Sequence, residues 1–209
     1  MLDMRYSRGE IEAAERHRLP APMTTEPDDA ALVRQAAERG LAGQLAFEKL
    51  VDRHQHWLVR LLTHLLGSRS DAEDVAQDAF VRAFLAIDQC GDGARFRGWL
   101  RVLARRLAFN HRRDARVRAR YEEQSGGPPS PGDSMTGQLG ERDLLTQVLG
   151  ELAYPYREIM VLRFVEELPL KDIAELLEIG ESAAKMRLTR ARAEFQREYE
   201  KRGGRRGDA

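Results

Sequence analysis

Residues 66–80 read LGSRSDAEDVAQDAF, and after a short loop residues 96–107 read FRGWLRVLARRL. Each stretch spells a helix. In the first, Val75, Ala79, Phe80, Ala83, Phe84 and Ile87 recur at helical spacing, while Asp71, Glu73, Asp74, Gln77 and Asp78 lie along the polar side. Ser70 and Glu73 make the S-x-x-E pattern of a capping box, which predicts where that helix starts. In the second, Phe96, Trp99, Leu100, Leu103 and Leu107 hold one face, and Arg97, Arg101, Arg105 and Arg112 stand away from it. From Arg95 to Arg120 ten arginines face a single acid, Asp114. A merely solvated surface helix would mix Glu among its cations as i,i+4 partners. An apolar stripe backed by guanidinium groups alone therefore predicts a helix laid against a nucleic-acid backbone.

The same period continues outward. Asp28 is placed to cap a helix carrying Leu32, Val33 and Ala36 that stops near Gly40. A longer helix from about Gln44 to Leu66 carries Leu45, Phe47, Leu50, Val51, Leu58, Leu61, Leu62 and Leu65, and Gly67 ends it. A Gly-containing loop, Asp88 to Arg95, leads into the basic helix, which is predicted to run to about Arg118. Between Gln124 and Gly140 the stretch GGPPSPG interrupts a segment without periodicity, the composition of a flexible linker. Helical pattern resumes at about Glu141 and reaches about Tyr199, with turns near Pro155, Pro169 and Gly180. No alternating strand pattern occurs. The expected fold is all-α: an unstructured extension over 1–27, a helical domain over 28–118, a linker over 119–140, a second helical domain over 141–201 and a basic tail over 202–209. Met23 reads as an alternative start, which would make the preceding residues an optional extension.

Within the second domain, Leu168 to Leu177, then Glu178-Ile179-Gly180, then Glu181 to Arg192 read as helix, turn, helix. Ile173, Ala174 and Leu177 are expected to pack on Ala184, Leu188 and Ala191, with the small Ala174 permitting the close crossing. That leaves Glu181, Ser182, Lys185, Met186 and Thr189 facing outward to read base edges, and Arg187, Arg190 and Arg192 to clamp phosphates.

Bulk properties narrow the function classes. The chain has 209 residues, 42% hydrophobic and 33% charged, with a formal net charge of +0, so the basic helix is balanced by acidic segments elsewhere. Cys90 is the only cysteine, which excludes an intramolecular disulfide framework and a Cys-based zinc site and fits a reducing compartment. No apolar run approaches the roughly 20 residues of a membrane span, and no signal-peptide core follows the N-terminus, so a cytoplasmic protein is expected. A helical metallohydrolase is the alternative from another class, built on His54, His56, His64 and the neighbouring acids. His54 and His56 are two apart and point to different faces, and no H-E-x-x-H pair occurs, so each His is read as a surface residue. No catalytic residue, metal or cofactor is predicted.

The stretch LGSRSDAEDVAQDAF followed by FRGWLRVLA closely resembles conserved region two of the extracytoplasmic-function (ECF) sigma factors, over about Asp28 to Arg118. Tyr156-Arg-Glu-Ile-Met-Val-Leu-Arg-Phe164, Leu168-Pro-Leu-Lys-Asp-Ile-Ala174 and Lys185-Met-Arg-Leu-Thr-Arg-Ala-Arg192 resemble region four of the same family. The resemblance implies a promoter-specificity factor without catalysis or small-molecule substrate. Its partners would be core RNA polymerase, through the beta-prime clamp and beta flap, promoter DNA, and a cognate anti-sigma factor, often membrane-anchored. It implies that Asp71, Glu73, Asp74, Gln77 and Asp78 dock on polymerase. It also implies that Arg95, Arg97, Arg101, Arg105, Asn110, Arg112 and Arg113 meet and melt the −10 element, with a flipped base held in the Asp88–Arg95 loop, and that the helix-turn-helix reads the −35 element. Three departures weaken caps or alter base preference: Pro169 and Gly180 stand where Ser is usual, and Ala183-Ala184 where Thr-Val is usual. Arg106 replaces a frequent Asn. Another two-domain helix-turn-helix regulator is the closer rival, but it leaves the basic helix and DAEDVAQDAF unexplained.

Overall fold

The computed structural model describes residues 27–91, 93–124 and 141–202, and every element among them is helical. The N-terminal set is α1 (Asp29–Ala37), α2 (Gly40–Leu66), α3 (Arg69–Leu85) and α4 (Phe96–Gln124), with two 3-10 turns, Ile87–Cys90 and Gly93–Arg95, before α4. The C-terminal set is α5 (Glu141–Glu151), α6 (Tyr154–Met160), α7 (Leu170–Leu176) and α8 (Glu181–Lys201). No helix among the described residues is long and apolar enough to cross a membrane.

Local chemistry sets most boundaries. Asp28 caps α1, its Oδ1 accepting the Ala31 N–H at 2.7 Å. Gly67, at φ 81°, closes α2 in the left-handed conformation that glycine adopts without a Cβ penalty. The cap of α3 differs from expectation: Ser68, not Ser70, accepts the Asp71 N–H, at 3.3 Å. An N-cap needs extended backbone, and the turn made at Gly67 leaves Ser68 as the extended residue (φ −131°, ψ 132°), with Ser70 already inside the first turn. Glu73 accordingly pairs with Arg69 at 2.8 Å instead of closing a capping box. α3 ends at Leu85, and Ile87 is buried from the 3-10 turn that follows. α4 runs on to Gln124, so residues 119–124, expected as linker, are helical. The remainder of the expected linker, the N-terminal extension through residue 26 and the tail from residue 203 lie outside the described residues.

α2 is the central strut of the N-terminal set. Leu50, Leu58, Leu61, Leu62 and Leu65 are fully buried among Leu32 and Ala36 of α1, Ala72 and Ala79 of α3, and Phe96 and Leu100 of α4. Leu45, expected on this stripe, is half exposed. In the C-terminal set Ile173 and Ala174 of α7 are buried with Ala184 and Ala191 of α8, and Leu177 and Leu188 pack partly buried beside them. This is the predicted helix-turn-helix crossing.

The two sets pack directly on each other, α5, α6 and the turn after α6 lying against α2. Their buried side chains form one connected apolar cluster. Arg157 of α6 anchors the seam. Its guanidinium donates to the Leu65 carbonyl at 3.1 Å and to the Gly150 carbonyl. A cation at the carbonyl end of α2 is favoured by the helix dipole, yet burial beside Arg112 pushes the Arg157 guanidinium down to about 10.

Candidate nucleic-acid interface

The acidic side of α3 faces solvent. Glu73, Asp74, Gln77 and Asp78 are exposed and Asp71 is half-buried. Asp78 pairs with Arg82 at 2.9 Å, and Asp71 approaches His111 of α4 at 3.4 Å. Exposed i,i+4 pairs are held weakly, so these carboxylates remain available to a basic partner. Val81 and Leu85, both largely exposed, extend the face along α3.

α8 presents a second open face. Glu181, Ser182, Lys185, Met186 and Thr189 are all exposed, with Ala184 and Ala191 buried on the opposite side. Thr189 turns its hydroxyl back onto the Lys185 carbonyl at 3.0 Å. Arg190 and Arg192 are exposed, the Arg192 guanidinium lying 5.0 Å from the Phe164 ring centre, whereas Arg187 is half-buried. Neither Pro169 nor Gly180 supplies a side-chain cap.

The basic helix departs from the sequence reading. Arg95, Arg97, Asn110 and Arg113 of this segment are exposed, but the Arg101 and Arg105 side chains retain only 13% and 15% exposure, and Arg112 is half-buried. They do stand off the apolar stripe of α4, but the C-terminal set covers them. Glu166 receives Arg101 Nε at 3.1 Å and a terminal Arg101 nitrogen at 2.9 Å, and Trp57 Nε1 donates to its other oxygen at 2.8 Å. Arg97 lies 3.7 Å from the same carboxylate. Glu158 takes Arg105 at 3.3 Å. Burial raises the Glu158 carboxyl against the pull of Arg105, and burial with the nearby Glu158 charge pushes the Tyr154 phenol up as well. The Arg112 guanidinium sits 5.0 Å from the Tyr154 ring centre, its acidity increased by burial and by Arg116. Periodicity identifies a helix face that avoids its own core; it carries no sign that another domain lies across that face.

Trp57 and Glu166 went unnoticed in the sequence. Trp57 flanks the leucine stripe of α2 and reads as core, and Glu166 with Glu167 reads as ordinary loop acid. Trp99 is partly buried against Phe96, with ring centres 6.0 Å apart, as its spacing predicts. The histidines differ from expectation. His54 is buried, its Nε2 2.8 Å from Asp29 Oδ2, because the N-terminus of α1 brings that carboxylate over α2. His64 is half-buried, and burial with Arg60 lowers its pKa; His56 is exposed. Among the described residues no three His, Cys, Asp or Glu side chains are gathered to hold a metal ion. In the loop before α4, Cys90 and Gly93 are buried.

Comparison with known proteins matches Sigma-70 region 2 over residues 50–118 and Sigma-70, region 4 over residues 142–195. The chain is 30% identical to the ECF RNA polymerase sigma factor SigW of Bacillus subtilis over 162 residues, covering 71% of this chain and 86% of that protein. Among solved structures it is similar to CnrH in complex with the cytosolic domain of CnrY, at 28% identity and a TM-score of 0.56, over 80% of this chain and 94% of that one. It shares its fold with the sigma factor RpoE of Bartonella quintana, solved with the anti-sigma factor NepR. That match has a TM-score of 0.57 at 21% identity and covers 74% of this chain and 96% of that one.

Proposed function

The chain belongs to the ECF sigma factors of the sigma-70 family, alternative sigma factors in transcription initiation, and from that premise we propose how its surfaces divide the work. The acidic face of α3, with Asp71, Glu73, Asp74, Gln77 and Asp78, docks on the beta-prime clamp of core RNA polymerase, and the C-terminal domain meets the beta flap. α4 carries the −10 contacts through Arg95, Arg97, Arg101, Arg105, Asn110, Arg112 and Arg113. α8 reads the −35 element through Glu181, Ser182, Lys185, Met186 and Thr189, with Arg187, Arg190 and Arg192 on phosphates. The protein contributes recognition and strand separation without chemistry of its own, and works in the cytoplasm alongside polymerase. A cognate anti-sigma factor is a further partner, by likeness to the complexes of CnrH and RpoE.

The observation that carries this reading is the free outer face of α8: five polar or flexible side chains stand clear of protein on the helix whose opposite side is locked into the helix-turn-helix. An ordinary helix-turn-helix regulator would share that face but would not need core polymerase. The double variant Asp74→Arg, Asp78→Arg tests the difference, since both side chains are exposed and neither supports the core. It should retain the helical circular dichroism of the wild type, lose capture of core polymerase, and lose run-off transcription. Normal transcription by the double variant would overturn the docking assignment.

A further inference from the structure

Two carboxylates of the C-terminal domain are buried against the basic helix, and Glu166 is the deeper: its side chain keeps 1% exposure, against 7% for Glu158. A buried carboxylate is tolerated only where donors replace its lost water. Three N–H groups do so here, one from Trp57 and two from Arg101, with Arg97 close by. The donors come from α2 and α4, so the cradle belongs wholly to the N-terminal domain. It is also stiffened from within. The Arg97 and Arg101 guanidinium groups lie 4.5 Å and 5.6 Å from the centre of the Trp57 ring, a cation–π arrangement that fixes both forks toward one point. Such convergence of an indole N–H and guanidinium groups is the geometry of an oxyanion site.

The insertion of Glu166 is prepared by its own domain. After α6 the chain widens into a π-turn, Val161–Val165, which the Glu166 N–H closes onto the Val161 carbonyl at 3.0 Å. Glu167 follows at φ 54°, a left-handed conformation uncommon for a residue with a side chain. Arg163 holds the exit by donating to the Leu168 carbonyl at 2.9 Å. Isolated π-turns and left-handed non-glycine residues concentrate at functional positions.

We propose that Trp57, Arg97 and Arg101 form one anion site with two alternative occupants: the Glu166 carboxylate in the free chain, and a backbone phosphate of promoter DNA once the domains separate. Glu166 is thus a latch that stands in for DNA. The inference rests on the sigma-factor reading, in which α4 is the helix that meets DNA, and it adds Trp57 to the DNA-contacting residues. Both occupants are oxyanions bound by the same donors, so they exclude each other. Because desolvation offsets much of a buried ion pair's attraction, replacing one oxyanion by another is far easier than emptying the site.

The test uses the full chain without polymerase. Fluorescence anisotropy follows binding of a labelled short oligothymidylate, and small-angle scattering follows the separation of the domains. The wild type should be compact and bind weakly. Glu166→Gln, which keeps shape and removes charge, should expand the chain and tighten binding about tenfold. Adding Trp57→Phe, which keeps the ring and removes the N–H, should return most of that gain with helical circular dichroism intact. If Glu166→Gln leaves the chain compact, Glu166→Lys places a cation against Arg97 and Arg101 and must open it. A chain still compact and no tighter in binding after that change overturns the latch. Equal oligothymidylate binding with and without the Trp57 N–H overturns the phosphate site. Run-off transcription by wild-type holoenzyme tests the sigma-factor reading separately, since neither measurement on the free chain involves polymerase.

Discussion

Gly93 shows how closely the loop before α4 is seated. A Cβ built on it would lie 2.6 Å from the Ala30 Cα and 2.8 Å from the Val33 Cβ, closer than carbon atoms approach without displacement. The neighbours belong to α1, whose Leu32, Val33 and Ala36 are buried, so neither side yields easily. Gly93→Ala should therefore destabilise the protein by about 1–3 kcal/mol, as overpacking does, read as a lower denaturant midpoint at unchanged slope. It should also weaken promoter opening, because the loop that would hold a flipped base can no longer seat against α1. A variant as stable as the wild type would mean that the loop packs on α1 differently. From sequence this glycine reads only as part of a turn; the steric reason for it lies in a helix more than fifty residues upstream, and nothing local encodes that.

The helices themselves are legible because burial and periodicity are the same fact read twice: Leu58, Leu61, Leu62 and Leu65 are spaced for one face, and that face is buried. Ends are less legible. Ser68 and Ser70 are equally good caps by composition, and only the left-handed Gly67 decides between them. The π-turn before Glu166 has no sequence signature: nothing in Val161–Val165 marks the wider turn that the Glu166 N–H closes. On α8 the proposed division of labour between base reading and phosphate clamping is open to test. Lys185 and Ser182 lie near its start on the exposed side, where side chains reach base edges, and Arg192 lies two turns further on. Lys185→Ala should cost about 1–3 kcal/mol at the preferred upstream element and flatten discrimination among variants of it. Arg192→Ala should weaken all upstream elements alike and lower the salt slope by about one. Holoenzyme transcription from promoters differing only in that element, across several salt concentrations, separates the two. The reverse pattern would mean that α8 enters the groove in another orientation.

At the scale of the whole molecule the free chain is closed, and closure sets what it can bind. The C-terminal domain covers Arg101 and Arg105, and Thr146, Gln147 and Glu151 of α5 border the same groove as Glu73 and Gln77 of α3, the face assigned to polymerase. The outer face of α8, proposed to read bases, stays open. On the proposed reading, the closed chain would touch duplex DNA with one reading head only, and polymerase, by holding the domains apart at a fixed spacing, would turn the second contact into an intramolecular one. If core polymerase docks on the open form alone, its apparent affinity is reduced by the fraction of chain that is open. Weakening the closure should then strengthen assembly without adding any contact to polymerase. Glu158→Gln is suited to this, because Glu158 is buried against Arg105 and its carboxyl is already disfavoured there by burial. The amide keeps the shape and loses the charge attraction. Stopped-flow fluorescence with labelled core polymerase should show association faster by about three- to tenfold at unchanged dissociation, since only the free state has been altered. A slower dissociation at unchanged association would place Glu158 against polymerase itself and remove closure as the step that limits assembly.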